Sequence, residues 1–317
     1  MKILFLVFFF FLLGELRCQE YPVHTITNGI VTAQVYLPDP YKGFYRATRF
    51  DWSGVIGSLI YKGVDYFGQW YSRHNPKVND AISGPVEEFN EIGYECVEVK
   101  DEFLKIGVGG LRKSNNEKYD RFKLYEITNP GKWIVKRVKH KVIFRHLIEN
   151  VSGYSYCYTK CVALAVGTPE LLITHTLKNT GRKVIKTKVY NHNFLTIGHL
   201  LTDSNVVVKF PENIVKNASD NKNGILNIEK NQVGFTRQIF PNESVMMMNI
   251  NDNPMENSII VEDKRLKAGI KITSDTKYST IHFWASERTC CPEPYIDIEL
   301  LPQQEKDWSF KYVFYVK

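Results

Sequence analysis

Long hydrophobic runs are scarce in this chain. Past Leu13 no stretch approaches the roughly 20 consecutive apolar residues that a membrane-crossing helix needs, so no helical span is expected beyond that point. Cysteine is also scarce, with six in 317 residues. Setting aside Cys18 near the amino terminus, the remaining five (Cys96, Cys157, Cys161, Cys290 and Cys291) are too few for a disulfide framework. Cys157 and Cys161 on one strand would share a face about 13 Å apart, beyond bridging distance. The adjacent Cys290 and Cys291 are either a strained vicinal disulfide or two thiols. No second pair stands at zinc-ligand spacing, and neither a metal nor any other cofactor is expected. Three catalytic signatures are missing: a phosphate loop ending in Lys-Ser/Thr, a G-x-S-x-G elbow and an H-E-x-x-H helix. Gly107-Val108-Gly109-Gly110 comes nearest to the first, but it lacks the helix amino terminus that such a loop requires and reads as a strand-end turn. Charge of one sign never accumulates. The net charge of +7 arises from 41 Lys and Arg against 34 Asp and Glu spread along the chain, so a nucleic-acid partner is not expected.

The amino terminus does carry a signal. Lys2 precedes an unbroken apolar run from Ile3 to Leu13 that ends at Gly14, too short to span a bilayer and patterned as a cleaved secretory signal peptide. Leu16 and Cys18 fit the positions just before the cut, which gives a signal over 1–18 and a single domain over 19–317. A lipoprotein reading would make Cys18 the lipid anchor. That reading wants a small residue before the Cys and an aliphatic one three before it, where Arg17 and Glu15 stand, so it is kept as the alternative. Either way the chain is expected to be exported, to the periplasm or beyond. Three Asn-x-Ser sequons, at Asn150, Asn217 and Asn242, add nothing without a known host.

Beyond the signal, aromatics and β-branched residues dominate. Aromatics reach 13%, which suits strands and sugar-stacking surfaces better than helices. Strands are expected over Phe103–Val108, Trp133–Val138, Val142–Leu147, Tyr154–Val166, Leu171–Leu177, Val184–Tyr190, Val206–Phe210, Gly269–Thr273, Thr280–Trp284 and Trp308–Val316. Turn chemistry separates them at Pro38-Asp39-Pro40, Asn129-Pro130-Gly131 and Gly167-Thr168-Pro169. The polar stretch from Asn213 to Asn223 reads as a surface loop. The nearest approach to a helical stripe, around Pro85 to Glu91, is short and acidic. Many short strands at this spacing predict an all-β fold, a large antiparallel sandwich or barrel. Among the eight histidines, His140 and His146 follow Lys139 and Arg145 and read as solvated.

Two segments stand apart chemically. Val189-Tyr190-Asn191-His192-Asn193-Phe194 closes a strand, which holds the His192 ring rigidly while letting it face a cleft. In Thr289-Cys290-Cys291-Pro292-Glu293-Pro294-Tyr295, two prolines stiffen the backbone on either side of Glu293. An imidazole with pKa near 6.5 and a carboxyl with pKa near 4.3 can coexist as acid and base at neutral pH. A strand histidine that is merely structural, and a glutamate that is merely exposed, are the competing readings.

At these two segments the sequence resembles the aldose 1-epimerase, or galactose mutarotase-like, superfamily. Asn179-Thr180-Gly181-Arg182-Lys183-Val184 followed by Asn191-His192-Asn193-Phe194 is similar to the stretch that carries that family's general acid. Glu293, followed by Leu301-Pro302-Gln303-Gln304-Glu305 and then Trp308, is similar to the stretch that carries its general base. Arg49-Phe50-Asp51-Trp52-Ser53-Gly54 and Ile82-Ser83-Gly84-Pro85-Val86-Glu87-Glu88-Phe89 look like a secreted bacterial branch. The family's G-R-x-A-N-R-I and L-H-G-G segments are absent, which leaves the sugar itself unspecified.

The resemblance implies a large antiparallel β-supersandwich and an exported isomerase that interconverts sugar anomers. Its partner would be a carbohydrate, either a free sugar or an oligosaccharide reducing end. Glu293 would take the anomeric proton and His192 would protonate the ring oxygen, with no cofactor. Arg49, Asp51, Glu88 and Asn191 would bind hydroxyls over an aromatic floor such as Trp52 or Trp70. One pyranose held between acid and base would separate His192 and Glu293 by about 5–8 Å across an open cleft, from hydrogen-bond reach at each end. A carbohydrate-binding protein without catalysis, or a lyase-type polysaccharide-processing protein, are the alternatives on the same fold.

Overall fold

The computed structural model describes residues 21–214, 223–252 and 254–317. The signal segment, Cys18 and Asn217 lie outside the described residues. Among the described residues the chain forms twenty-two strands. They are β1 (Val23–Thr27), β2 (Val31–Tyr36), β3 (Ile56–Tyr61), β4 (Val64–Asp65), β5 (Val86–Phe89), β6 (Glu102–Lys105), β7 (Gly109–Arg112), β8 (Ile127–Asn129), β9 (Lys132–Val138), β10 (Lys141–Val151) and β11 (Tyr154–Leu164). They continue as β12 (Glu170–Asn179), β13 (Ile185–His192), β14 (Val206–Lys209), β15 (Leu226–Glu229), β16 (Gln232–Phe235), β17 (Ser244–Asp252), β18 (Ser258–Asp263), β19 (Ala268–Ser274), β20 (Thr280–Ser286), β21 (Thr289–Leu300) and β22 (Glu305–Val316).

Two large antiparallel sheets dominate. One has ten strands in the order β15-β16-β14-β18-β19-β22-β12-β11-β10-β9, and the other five in the order β17-β20-β21-β13-β5. Their facing surfaces follow from the two-residue period of a strand, which sends alternate side chains to opposite faces. In β12, Leu171, Ile173, His175 and Leu177 turn inward while Leu172, Thr174 and Thr176 turn out. From the five-stranded sheet, Phe89, Val189, Ile296, Ile298, Ile281 and Phe283 meet that inner face in one continuous core. The aromatic payload sits at the contact: Phe89 meets Tyr158 edge-on at 5.5 Å and Trp308 at 6.2 Å. A second apolar cluster, with Phe50, Trp52, Val86, Phe103 and Phe194, covers part of the other face of the five-stranded sheet. That covering layer is made of the loops around residues 44–55, 66–85 and 113–126.

Three readings are corrected here. Val86–Phe89, the nearest thing to a helix in the sequence, is a strand that pairs with β13 from Val189↔Phe89 to His192↔Val86. Its alternation places Glu87 on the inner face and Glu88 on the outer one, and distant cations neutralise both, so the acidity does not disfavour a buried strand at the sheet's edge. His146 is not solvated. It is fully buried, stacked on Trp133 at 3.9 Å and hydrogen-bonded to Tyr156 and to the Pro130 carbonyl. Burial pushes its pKa down to about 4, so it is held neutral. The third concerns the proline-flanked segment around Glu293, which was not among the expected strands and belongs to a twelve-residue one. The five described cysteines beyond the amino terminus are free thiols.

The Gly107 turn appears as expected between β6 and β7, with φ of +78°. A Cβ there would fall 2.6 Å from an Asp51 carboxylate oxygen, so only glycine lets the turn approach that side chain.

Beneath the cavity described below, the sandwich interior holds a buried ionic cluster. Lys160 pairs with Glu87, lies 3.7 Å from Asp51 and donates to the Ser53 carbonyl at 2.8 Å. His175 Nε2 meets Glu87 Oε1 at 2.8 Å, and its ring lies stacked on Trp308. Burial would raise the Glu87 pKa, but Lys160 and then His175 outweigh it and bring it to about 2. Asp51, farther from the same ammonium, goes the other way. Burial lifts it to about 6, with Lys160 opposing.

Candidate active site

The strand register brings the two singled-out segments together. β13 pairs with β21 from Ile185↔Leu300 to Tyr190↔Tyr295 and the ladder stops there. Two residues on, the same register would set His192 opposite Glu293. β20 pairs with β21 through His282↔Glu293 and Phe283↔Pro292. Proline cannot donate to a ladder, so Glu293 supplies the hydrogen-bonded pair toward β20, and Pro292 and Pro294 turn their donorless nitrogens toward β13. The two strands part at the point where those donors are missing. The gap is bridged by a side chain, Asn193 Nδ2 donating to the Pro292 carbonyl at 2.7 Å.

His192 and Glu293 project from the outer face of this sheet, together with Tyr190, Tyr295, Trp284 and Glu88. They meet directly: His192 Nε2 lies 3.2 Å from Glu293 Oε1. The hexose-sized separation anticipated from the sequence is therefore corrected to a direct contact of 3.2 Å. Both residues are deeply buried, at 4% and 3% exposure, yet both line a cavity of about 490 Å³. Its other walls come from Arg49, Trp70, Asp80, Arg121, Phe122, Tyr190, Phe194, Met246, Met248, His282, Trp284 and Tyr295. The His192 ring is clamped by Phe194, stacked at 3.8 Å, and by the edges of Phe50 and Trp284. Its Nδ1 is buried without a hydrogen-bond partner.

Burial sets the protonation of the pair. Burial drives the His192 pKa well below its ordinary value, and the Arg49 and Arg121 charges add to this. Burial also drives Glu293 up to about 8, with Arg49 opposing. Both shifts favour the uncharged forms, a neutral imidazole and a protonated carboxyl.

A charged cluster underlies one wall. Glu88 accepts from Arg49 Nε at 2.7 Å and from the Tyr190 hydroxyl at 2.5 Å. Lys105 and Arg121 stand 3.7 and 3.5 Å from its other oxygen. Burial pushes the Glu88 pKa up, but Arg49, then Lys105 and Arg121, prevail and hold it below its ordinary range. Each Arg49 nitrogen makes one hydrogen bond, Nη1 to Asp80 at 2.5 Å and Nη2 to Tyr190 at 3.2 Å besides Nε to Glu88, and its guanidinium lies over the Phe50 ring.

The sequence-read site residues separate into groups. His192, Glu293 and Arg49 line the cavity, as does Trp70. Glu88 lies directly behind it, orienting Arg49 and Tyr190 and closed to a sugar. Asp51 and Trp52 are elsewhere. Asp51 bonds to Ser53 and Tyr158 in the interior, and Trp52 donates its indole N–H to the Ala47 carbonyl, so neither faces the cavity as a hydroxyl-binding group or aromatic floor. Asn191 points to the inner face, where its Nδ2 donates to the Tyr312 hydroxyl at 3.1 Å and lies 3.3 Å from Glu87. Sequence reasoning missed Asp80, Arg121, Tyr190, Trp284 and Tyr295. Strand alternation was the available signal for two of them, since Tyr190 and Tyr295 stand two residues from His192 and Glu293 and so share their face.

A positioning relay lies beneath the pair. The Tyr312 hydroxyl accepts from Asn191 and donates to Asn193 Oδ1 at 2.9 Å, and Asn193 holds the Pro292 carbonyl. One hydroxyl therefore ties both neighbours of His192 to the residue before Glu293. Tyr312→Phe is expected to cost about 1–3 kcal/mol of stability, the penalty for leaving buried amide groups unpaired. Denaturant titration checks this.

Comparison with known proteins supplies the fold. No family model and no curated protein matches the sequence. Solved structures do. A putative aldose 1-epimerase from Escherichia coli K12 superposes with a TM-score of 0.54 at 11% identity, covering 94% of this chain and 100% of that one. A galactose mutarotase-like protein from Clostridium acetobutylicum gives 0.56 at 14% identity, covering 94% and 96%. An aldose epimerase homologue from C. elegans gives 0.56 at 12% identity, covering 94% and 99%. At these identities the likeness is one of fold: an all-β chain of large antiparallel sheets, matching the galactose mutarotase-like structures.

Proposed function

We propose that this cavity binds a carbohydrate and that His192 and Glu293 move protons on it, interconverting anomers of a free sugar or of an oligosaccharide reducing end. The observation that carries this reading is the 3.2 Å contact between imidazole and carboxyl on the cavity floor, a donor and an acceptor supplied together by one uncharged pair. The anomeric hydroxyl and the ring oxygen are bonded to the same carbon. Two groups in mutual contact can therefore serve both atoms, and a gap the width of a hexose is not required.

Ring opening needs one proton removed from the anomeric oxygen and one delivered to the ring oxygen as the bond between that oxygen and the anomeric carbon breaks and the carbonyl forms. Shifting the single proton across the His192–Glu293 contact converts the neutral pair into carboxylate and imidazolium. In that form Glu293 takes the anomeric proton and His192 gives one to the ring oxygen. Rotation about the adjoining carbon–carbon bond and the reverse transfers complete the exchange. Positioned acid–base groups contribute about 10²–10⁴-fold in such steps. Trp70 and Trp284 supply apolar surface for a sugar ring.

The pH dependence follows from the pair's proton count. Glu293 loses its proton as pH rises through about 8, leaving no proton to deliver. His192 takes up a second proton only below the ordinary imidazole range. Anomer interconversion, followed by polarimetry, is expected to be level across neutral pH and to fall above about pH 8. A decline centred near pH 4–5, the ordinary carboxyl range, would contradict this proton count.

The depth and closeness of the same pair also favour a second reading, a carbohydrate-binding protein in which the contact is structural. Saturable sugar binding by calorimetry with anomer exchange no faster than in buffer would select it.

A further inference from the structure

The outer face of the five-stranded sheet does not end at the dyad. Alternate residues of β13 and β21 keep to one face. Past His192 and Glu293 that face carries Tyr190 and Tyr295, stacked at 4.4 Å, then the exposed pair Lys188–Asp297 at 3.0 Å, then Lys186–Glu299 at 3.2 Å. At about 3.3 Å per residue, the stretch from Glu293 to Glu299 spans about 20 Å. Two further hollows lie beyond the dyad's cavity. One of about 560 Å³ shares Arg121 and Phe122 with that cavity, and one of about 640 Å³ shares Asn90 and Glu91 with the second. Through these shared walls the three form one groove, and the last of them has the two ion pairs on its floor.

Phe122 stands at the first junction. It is 62% exposed, yet it is held in place. The Arg49 guanidinium lies over its ring at 4.8 Å, its N–H donates to Asp120 Oδ1 at 2.9 Å, and its carbonyl accepts from Asn79 Nδ2 at 2.7 Å. A fixed, exposed ring at the lip of a cavity is a platform on which the C–H side of a pyranose can lie. The dyad's cavity takes one such unit. Twelve heavy atoms of a hexose, even at a full water's ~30 Å³ each, occupy no more than about 360 Å³, most of its volume of about 490 Å³. A second unit falls at the lip. Met246 and Met248 form the opposite lip, on the edge strand β17, but their three-torsion side chains adapt to a neighbour rather than fix it. The signs along the groove cancel. Lys118 and Arg121 face Glu91, Glu117 and Asp120 in the second hollow, and Lys186, Lys188 and Lys306 face Asp297 and Glu299 in the third, which shares Glu91. No net field there selects an ionic polymer.

We infer that this site takes the reducing end of a neutral oligosaccharide, with its first ring on His192 and Glu293, its second on Phe122 and the following units along the groove over Lys188–Asp297 and Lys186–Glu299. This rests on the carbohydrate reading above. Exposed ion pairs of this kind contribute little to stability, so their donors and acceptors can turn to sugar hydroxyls at small cost to the fold.

The test measures anomer exchange by NMR and binding by calorimetry on the full chain. The probes are glucose, mannose and xylose, each beside its β-1,4-linked disaccharide and tetrasaccharide, and the α-1,4-linked glucose series. In at least one series kcat/KM is expected to rise by about 2- to 10-fold from monosaccharide to disaccharide, the range for a contact with an aromatic ring, and to rise again at the tetrasaccharide. Phe122→Ala should remove the first step and Phe122→Tyr should keep it. Lys188→Ser should lower the second step alone. Monosaccharides that match the tetrasaccharides in every series overturn the proposal and leave the isomerase reading standing. A tetrasaccharide preference that survives Phe122→Ala but is lost in Met248→Ala does the same. Phe122-dependent binding of a tetrasaccharide that still equilibrates at the buffer rate upholds the groove and sinks the isomerase reading. Neither binding nor exchange of any probe overturns both.

Discussion

Replacing Glu293 by Gln is expected to slow anomer interconversion by about 10²–10⁴-fold while the chain still folds. The amide keeps the size of the carboxyl, but it can neither take nor give the proton. His192→Ala is expected to do comparable harm for the complementary reason. With the two groups 3.2 Å apart, the proposed reaction has them acting as a unit, and the double variant should be little worse than either single one. Groups that act together are grossly non-additive. Exchange spectroscopy on the anomeric protons reads all three variants. Additive losses would mean two independent groups and would remove the shared-proton account.

The second large effect concerns the fold. Lys160→Met should destabilise the chain by about 3–5 kcal/mol, a large share of a stability of about 5–15 kcal/mol. Glu87 and the Lys160 side chain are wholly buried, so methionine leaves Glu87 with His175 and Asn191, and Asp51 with the neutral donors of Ser53 and Tyr158, without the ammonium between them. The pH dependence runs with it. Glu87, held down at about 2, contributes stability above the ordinary carboxyl range, and that contribution is lost as pH falls toward 2. Breaking the exposed Lys188–Asp297 pair on β13 and β21 is expected to cost under about 1 kcal/mol. Denaturant midpoints measured side by side compare the two.

The strands were legible in the sequence because runs such as Trp133–Val138 and Trp308–Val316 are dense in β-branched and aromatic residues, which local physics favours in a pleated sheet. Val86–Phe89 was not legible. Two adjacent glutamates enter a buried strand only if cations reach both faces, and those cations, Lys160 below and Arg49, Lys105 and Arg121 above, come from distant segments. The same distance misdirected Asp51, whose partner ammonium lies on β11. His192 and Glu293 were legible as a pair through their flanking residues, but their contact was not, because it depends on where β13 and β21 part. Arg121 and Asp80 sit on loops, where a charged residue looks solvated until the sheet beneath is known.

One measurement reaches the central claim: anomer exchange of a panel of aldoses at neutral pH, read by NMR with and without the full chain. The account predicts that at least one sugar equilibrates faster than in buffer, that the acceleration saturates with sugar, and that Glu293→Gln removes it. A sugar that binds saturably and still equilibrates at the buffer rate would contradict it.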